Sequence, residues 1–406
     1  MVIASLAMVG PFTIDTIFPA FEVMSRDLAV DKLAMQQTMS VYLITFAIAS
    51  LFHGSLSDSL GRKPVIVAGS LLFALTSILA AIAPSMQLLL GARGLQGLVA
   101  GAGMIVGRTI VRDLFDGPHA QRFMSHISMV FAVAPAVAPI VGGWILGWSD
   151  WRAIFWVLAV YGAALVLMTV FLLPETHPPS LRVPFRPAPL LASFRSAATD
   201  GAVLRLSAAI ALNFAALFLY IASAPAIVVD HLGLGAQDFG LLFAPLVGSM
   251  MLGSFLTGRL VGRVRPGVFV LSGFVISLAG AAYAVTYNLV VTEPSLVGSL
   301  VPIAASALGV ALIFPILTMD LLDLRPTGRG AVSSFQSFLS TCLNALVAGL
   351  ISPLVSGSLL VLGMVAGLST ALALALWARH RRTRRRPSVV PRDVEAADSV
   401  AGLGTP

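Results

Sequence analysis

Twelve apolar runs, each long enough to cross a bilayer as a helix, constrain this chain more than any other feature. A membrane-spanning helix needs about 20 apolar residues. Such runs cover residues 1–21, 35–54, 65–84, 87–111, 123–147, 152–173, 203–229, 239–259, 267–290, 295–320, 329–354 and 358–379. They are continuous, without period-two alternation, which favours helices over a β-barrel. Of the 406 residues, 58% are hydrophobic and 11% charged, against about 25% charged in soluble domains. That much apolar surface requires lipid. One cysteine, Cys342, excludes a disulfide framework and a cysteine metal cluster, and neither a metal nor a cofactor is expected. No basic stretch precedes the first run, so a cleaved signal peptide is not expected. Met1 already lies inside that run, which leaves room for an upstream cytoplasmic segment.

The net charge is +7, from 23 arginines and 2 lysines against 18 acids. In a soluble protein that balance would suggest nucleic acid. Here position explains it. If the runs are threaded with the N-terminus inside, 21 basic residues fall on the inner side and 3 (Arg26, Lys32 and Arg152) on the outer side, with Arg93 within a run. Basic loops stay in the cytoplasm, so both termini are expected there, and nucleic acid is not expected as a partner. The arginines after 379 would sit on anionic lipid headgroups.

Residues 174–202 break the apolar pattern with Pro174, Pro178, Pro179, Pro184, Pro187 and Pro189 among several arginines. The reading is a six-helix half at 1–173, a cytoplasmic linker at 174–202, a second six-helix half at 203–379 and a basic, disordered cytoplasmic tail at 380–406. The alternative is one continuous twelve-helix domain with an ordinary loop.

The loop after the second run reads Gly54-Ser-Leu-Ser-Asp58-Ser-Leu-Gly61-Arg62-Lys63-Pro64. Gly61 and Pro64 suit a tight turn. Asp58 at a helix C-terminus is unfavourable without a compensating group. The pattern G-x-L-x-D-x-x-G-R-K-P resembles the signature of the major facilitator superfamily. A shorter echo, Gly258-Arg-Leu-Val-Gly-Arg263-Val-Arg265-Pro266, stands at the equivalent loop of the second half, as internal repeats require. The resemblance implies an all-α membrane protein with twelve transmembrane helices in two six-helix halves. It also implies that Gly54, Asp58, Gly61, Arg62 and Lys63 form a conformational gate. Asp58 would meet the amino end of the eleventh helix near residues 328–334, with Arg112 as an additional partner.

In the fourth run, Arg93-Gly-Leu-Gln96-Gly97 resembles the superfamily's proton-coupling motif. An arginine inside a bilayer costs roughly 2.5–3.5 kcal/mol on insertion scales, so Arg93 should face a cavity and find an anion, or else snorkel to the outer interface. The fifth run carries Pro135, Pro139, Gly142 and Gly143, similar to the antiporter motif of drug exporters with its first glycines replaced by Ala134 and Ala138. A purely structural kink is the alternative. Thr13-Ile-Asp15-Thr-Ile-Phe-Pro19-Ala20, Arg108-Thr-Ile-Val-Arg112-Asp113 and Leu173-Pro-Glu175-Thr176 resemble the bicyclomycin/chloramphenicol-resistance (Bcr/CflA) exporters. Those are multi-pass proteins of the bacterial inner (plasma) membrane.

At 1.5 Å per residue, Asp15 lies about 9 Å below the outer end of its run, and Arg93 and Tyr42 fall at similar depth in theirs. The two charges are therefore expected to pair across a cavity. Burial raises a carboxyl pKa and a neighbouring guanidinium lowers it, an opposition that proton coupling can use. Tyr42 and Gln96 in the first half, and Asn213, Tyr220, Gln336 and Asn344 in the second, are the candidates for a substrate cavity. For each of the latter group, helix–helix hydrogen bonding is an equal alternative. The resulting expectation is a monomeric proton-coupled antiporter exporting small amphipathic drugs, such as phenicols or bicyclomycin, by alternating access. Rival readings are a facilitator that exports or imports a small metabolite and a transporter-like receptor without flux. No nucleophile–base set or phosphate loop supports an enzyme.

Overall fold

Backbone polar groups in hydrocarbon must be satisfied within the chain, and the computed structural model is accordingly helical apart from its turns and connections. It describes residues 2–115, 117–260, 263–325 and 328–384; the side chains of residues 117, 118, 120–122, 125, 126, 128–132 and 384 lie outside that description. Among the described residues, twelve principal helices follow one another: α1 (Val2–Asp15), α2 (Lys32–Leu60), α3 (Arg62–Ala81), α4 (Met86–Leu114), α5 (Gly117–Leu146), α6 (Arg152–Leu172), α7 (Gly201–Ala222), α8 (Phe239–Leu260), α9 (Pro266–Val290), α10 (Leu296–Leu322), α11 (Arg329–Leu346) and α12 (Leu359–Arg384). The major facilitator fold expected from the sequence is the fold observed.

Local chemistry sets the helix ends. Asp31 caps α2 by accepting from the Ala34 amide at 2.7 Å, and Asp200 caps α7 by accepting from Ala202 and Val203 at 2.8 and 3.2 Å. Gly61 separates α2 from α3 with φ of 100°, a left-handed conformation that glycine adopts without cost.

The packing repeats with the helix number raised by six. The pairs α1–α5, α2–α4, α3–α4 and α3–α6 recur as α7–α11, α8–α10, α9–α10 and α9–α12. The first six helices meet the last six mainly through α2 against α11 and α5 against α8. Among the described residues, the hydrogen bonds and ion pairs between these two groups lie toward the face opposite the basic loops. They are Lys32–Asp230 at 2.5 Å, Gln36 to the Ala222 carbonyl at 3.0 Å, Gln37 to the Gly349 carbonyl at 2.8 Å and Ser40 to the Ala345 carbonyl at 2.6 Å.

Several boundaries differ from the sequence reading. The first run is not one helix. α1 stops at Asp15, a 3₁₀ turn follows at Phe18–Ala20, and a short helix covers Phe21–Asp27. Pro19 has no N–H for the Asp15 carbonyl and cannot continue the helix. The 174–202 stretch contains a helix, Pro187–Thr199, whose Phe194 ring packs edge-on against Phe335 and Phe338 of α11. π-helical segments, Ala226–His231 and Val347–Ile351, follow α7 and α11 at the far face. Helix α12 continues to Arg384, into the stretch expected to be disordered; residues 385–406 of that expectation lie outside the described residues.

Candidate functional site in the membrane interior

Burial isolates a small set of charged groups. Among the described residues, Asp15 is the one buried acid, at 5% exposure, and Arg93 is fully buried. Asp15 is the last residue of α1, at the break enforced by Pro19. Half-helix ends inside a membrane are where transporters expose polar backbone.

Arg93 does not pair with Asp15 here: no ion pair joins them among the described residues. The guanidinium is instead distributed over neutral acceptors. Its Nη1 donates to the Thr13 carbonyl at 3.0 Å and to Gln96 Oε1 at 2.9 Å, and its Nε donates to the Thr38 carbonyl at 3.3 Å. The Tyr42 ring lies beneath it, 4.7 Å from Cζ to the centroid. Nη2 has no hydrogen-bond partner among the described residues. Arg93 thus lies level with Thr13 of α1 and Tyr42 of α2, and the Thr13 carbonyl near the α1 break and the Thr38 carbonyl of α2 take the cation in place of Asp15.

Gln96 is not a cavity residue. It is fully buried, accepts from Arg93 and donates to Ser77 Oγ at 2.8 Å, which makes it the support of Arg93. Tyr42 is also fully buried, its hydroxyl unpartnered among the described residues. Tyr220 lines a void of about 20 Å³ bounded by α7, α9, α10 and α12, with Asn288 and Ser299. It therefore faces the interior of the second helix group. Gln336 donates to Ser340 on its own helix at 2.9 Å. Asn213 and Asn344 each leave a buried Oδ1 without a partner among the described residues.

Pro135 is half-buried and Pro139 buried within α5. Gly142 faces the Thr16 carbonyl at the α1 break, and Gly143 faces the Ala236 carbonyl ahead of α8; a methyl at either would overlap those backbones. The glycines thus allow α5 to approach both α1 and the opposite helix group closely.

At the basic face, Arg62 is 5% exposed and gathers the loop residues around itself. It pairs with Asp58, and contacts Asp113 Oδ2 at 3.2 Å and Ser57 Oγ at 2.6 Å. Glu175 accepts from the backbone amides of Arg62 and Lys63 at 3.0 and 3.2 Å, at the positive end of α3. Lys63 Nζ donates to the Val170 carbonyl at 2.8 Å. A methyl on Gly61 would lie 2.7 Å from both Glu175 and Arg182. Gly54 has open space beside it.

Two expectations are corrected here. Asp58 bonds Arg62 rather than the amino end of α11, and Arg112 is exposed and outside the cluster. Successive helix positions are about 100° apart, so Asp113 faces Arg62 while Arg112 faces away. Glu175 and Thr176, which donates to Asp113 at 3.0 Å, join the Arg62 cluster; the Pro-Glu-Thr stretch stands out in the sequence, but nothing in its spacing ties it to Arg62.

The Major Facilitator Superfamily model matches residues 3–348. This chain belongs to that superfamily. It is a multi-pass membrane transporter of this kind and resembles several curated bacterial members. The uncharacterized MFS-type transporter YdgK of Bacillus subtilis is 29% identical over 352 residues, 86% of each chain. The bicyclomycin resistance protein homolog of Haemophilus influenzae is 32% identical over 259 residues, 64% of this chain and 65% of that one. The multidrug resistance protein MdtL of Escherichia coli O157:H7 is 27% identical over 347 residues, 84% of this chain and 85% of that one. The human organic anion transporter MFSD10 has the same fold, with a TM-score of 0.65 at 17% identity, over 93% of this chain and 98% of that one.

Proposed function

We propose that this facilitator is a proton-driven antiporter that exports small amphipathic compounds, neutral or zwitterionic, across a bacterial inner membrane. The observation that carries the reading is Asp15, the one buried acid among the described residues, at a helix break and without an ion pair. A carboxyl group in that position can exist charged only if a cation answers it. Arg93 is the neighbour able to answer. Three of its bonds go to neutral acceptors, and Nη2 is held in reserve. Deprotonation of Asp15 draws the guanidinium toward it and away from the Thr13 and Thr38 carbonyls; protonation lets it return. That exchange ties the proton to the positions of α1, α2 and α4.

The two helix groups are read as halves that rock about the site, joined by the linker. With the basic loops in the cytoplasm, the present arrangement is sealed on the outside by the Lys32, Gln36, Gln37 and Ser40 contacts. Release of the proton inside and capture of the compound there precede opening outward. At 100 mV the field supplies about 2.3 kcal/mol per charge, roughly 50-fold accumulation per proton. The relative named for bicyclomycin resistance and those named for multidrug resistance support a drug, of the bicyclomycin type among others, as cargo; the phenicol class rests on the sequence resemblance alone.

The deciding experiment reconstitutes the protein in vesicles and measures compound-stimulated proton flux. Flux with a phenicol or bicyclomycin-like compound, abolished by collapsing the gradient, is expected. Flux only with a small metabolite moves the protein to the metabolite reading, and binding without flux to a receptor.

A further inference from the structure

One ionisable group at the membrane-interior site takes no part in the exchange between Arg93 and Asp15. Tyr42 of α2 is fully buried, with the Arg93 guanidinium over its ring, 4.7 Å from Cζ to the centroid. Its other neighbour in the stack is Phe46, with centroids 6.3 Å apart and planes 19° from parallel. Helices α2 and α4 touch backbone to backbone at this level: a methyl on Gly97 would stand 2.2 Å from the Tyr42 carbonyl. That contact fixes where the ring sits. The hydroxyl lies against the Thr13 side chain and within electrostatic reach of both Asp15 and Arg93. Thr13 Oγ1 spends its own proton on the Val9 carbonyl, and the Tyr42 hydroxyl is sealed from the surface without a well-formed bond among the described residues. A buried hydroxyl in that condition is costly. Because it is sealed, cargo cannot supply the partner, and the protein must.

We propose that Tyr42 is a positioning residue for the proton step, its hydroxyl donating to the carboxylate of Asp15 whenever Asp15 is deprotonated. This deepens the reading of Asp15 as the proton carrier and rests on it. Tyr42 keeps its own proton throughout. Its two parts do different things. The ring face attracts a guanidinium without demanding one direction, so Arg93 can slide across it while exchanging the Thr13 and Thr38 carbonyls for the carboxylate. The hydroxyl then joins Arg93 Nη2, the other donor left without a partner, on a carboxylate that has room for several donors. The other elements around the α1 break bring no competing ionisable group. Residues 131–147 of α5 contain none, and Gly142 there meets the Thr16 carbonyl. Tyr161 of α6 is spent on the carbonyl of Ser5, ten positions before Asp15, at 2.5 Å. From α8, Phe243 stacks on Phe18, with centroids 6.1 Å apart. Among the described residues, Arg93 and Tyr42 are the ionisable groups facing Asp15.

The test is an infrared titration of the purified full chain, following the stretch of the protonated Asp15 carboxyl, which is the band missing from Asp15→Asn. Tyr42→Phe keeps the ring beneath Arg93 and removes the donor to the carboxylate. Its midpoint should rise by about one pH unit, tenfold in proton affinity, the size expected for a hydrogen bond to a charged group. Thr13→Val removes the hydroxyl beside Tyr42 and should leave the midpoint within roughly a third of that shift. Melting curves check that both variants are folded, and a purely structural role for Tyr42 would move those curves and not the midpoint. An unmoved or lowered midpoint in Tyr42→Phe would overturn the assignment. So would an equal shift in Thr13→Val, which would give the hydroxyl to Thr13, or an Asp15 band that never titrates, which would leave no carboxylate to receive it. Compound-stimulated proton flux in vesicles separates the two readings. Flux with an unmoved midpoint retires the role of Tyr42 alone, whereas a shifted midpoint without flux retires antiport and leaves the Tyr42–Asp15 bond standing.

Discussion

Arg93 donates to the carbonyl of Thr13 at 3.0 Å, two positions before the carboxylate of Asp15 on the same broken helix. The cation is therefore anchored to the backbone beside the acid rather than to the acid itself. Any movement of Arg93 toward Asp15 must release that carbonyl, which couples the charge state of one side chain to the geometry of the α1 break.

Asp15→Asn keeps the size of the side chain and removes its titration. The variant should insert, fold and bind cargo, while compound-driven proton flux in vesicles falls to the level of empty vesicles. In cells it should give no more drug tolerance than an empty vector. Equal flux in variant and wild type would remove Asp15 from the coupling step.

Arg93→Lys should lower turnover by at least about tenfold, because a point ammonium cannot span acceptors that a planar fork reaches in several directions. The Thr13 and Thr38 carbonyls and Gln96 Oε1 surround the guanidinium. Gln96→Leu should act through stability instead. It leaves one N–H of Arg93 without its acceptor in a buried site, while Ser77 keeps its bond to the Phe73 carbonyl, costing about 1–3 kcal/mol, which a melting curve of the purified protein reads directly. Turnover retained in full by Arg93→Lys would show that charge alone suffices.

At the basic face, Asp58→Asn leaves Arg62 with Asp113, whereas Glu175→Gln weakens the cap on α3 and the tie to the linker at once. Both should slow turnover several-fold with cargo affinity unchanged, since neither residue approaches Asp15 or Arg93. Equilibrium binding beside initial transport rates separates the two effects; lost affinity at normal turnover would contradict the gate assignment.

Asp200 gives a pH signature. Burial pushes its carboxyl up, but the Val203 and Ala202 amides and the Arg325 guanidinium, 3.0 Å away, outweigh it and hold the group below the usual carboxylate range. A depressed folded-state pKa contributes stability above the unfolded value, about 3.9, and loses it as pH falls through the folded value. Asp200→Ala should therefore cost about 1 kcal/mol at pH 7, as lost helix caps do, and the gap to wild type should close under acid. Melting curves at neutral pH and near pH 3 check this.

The sequence displayed the twelve spans because bilayer thickness imposes one length on every helix, and it displayed Asp15, Arg93 and Arg62 because charge in hydrocarbon is rare. It did not display their bonds. Apolar character at 1–21 looks the same whether or not Pro19 breaks the helix, and it is beside that break that the Thr13 carbonyl takes the place of Asp15 on Arg93. Asp58 was paired with the wrong partner because the spacing of a loop does not reveal that Arg62 folds back over it. The helix at Pro187–Thr199 was obscured by its flanking prolines, although Pro187 and Pro189 occupy positions early in the helix where proline is tolerated. Gln96 and Tyr220 look like cavity residues in a one-dimensional pattern, and only the rotation of their helices makes Gln96 the support of Arg93 and turns Tyr220 to the interior of its own helix group.

The seal on the far face makes the last prediction. Gly349 lies in the π-helical segment that follows α11, its carbonyl accepts from Gln37, and it faces Ser40 so closely that a methyl there would overlap the hydroxyl. Gly349→Val must push α2 and α11 apart where Ser40 also bonds the Ala345 carbonyl. The Lys32–Asp230 pair sits at the rim of the same seam, with side chains 75% and 41% exposed, and by itself contributes little, as exposed pairs do. Steric fit, rather than that charge pair, should therefore hold the outside closed. Replacing Lys32 and Asp230 together by cysteine and joining them with a bifunctional thiol reagent long enough to span the lost lysine side chain should give a cross-link that forms readily in the otherwise wild-type protein and slowly in Gly349→Val, while Lys32→Ala alone leaves transport within about twofold. If Gly349→Val cross-links as fast as the parent, the seam is not set by packing at Gly349. If Lys32→Ala abolishes transport, the ion pair is the lock.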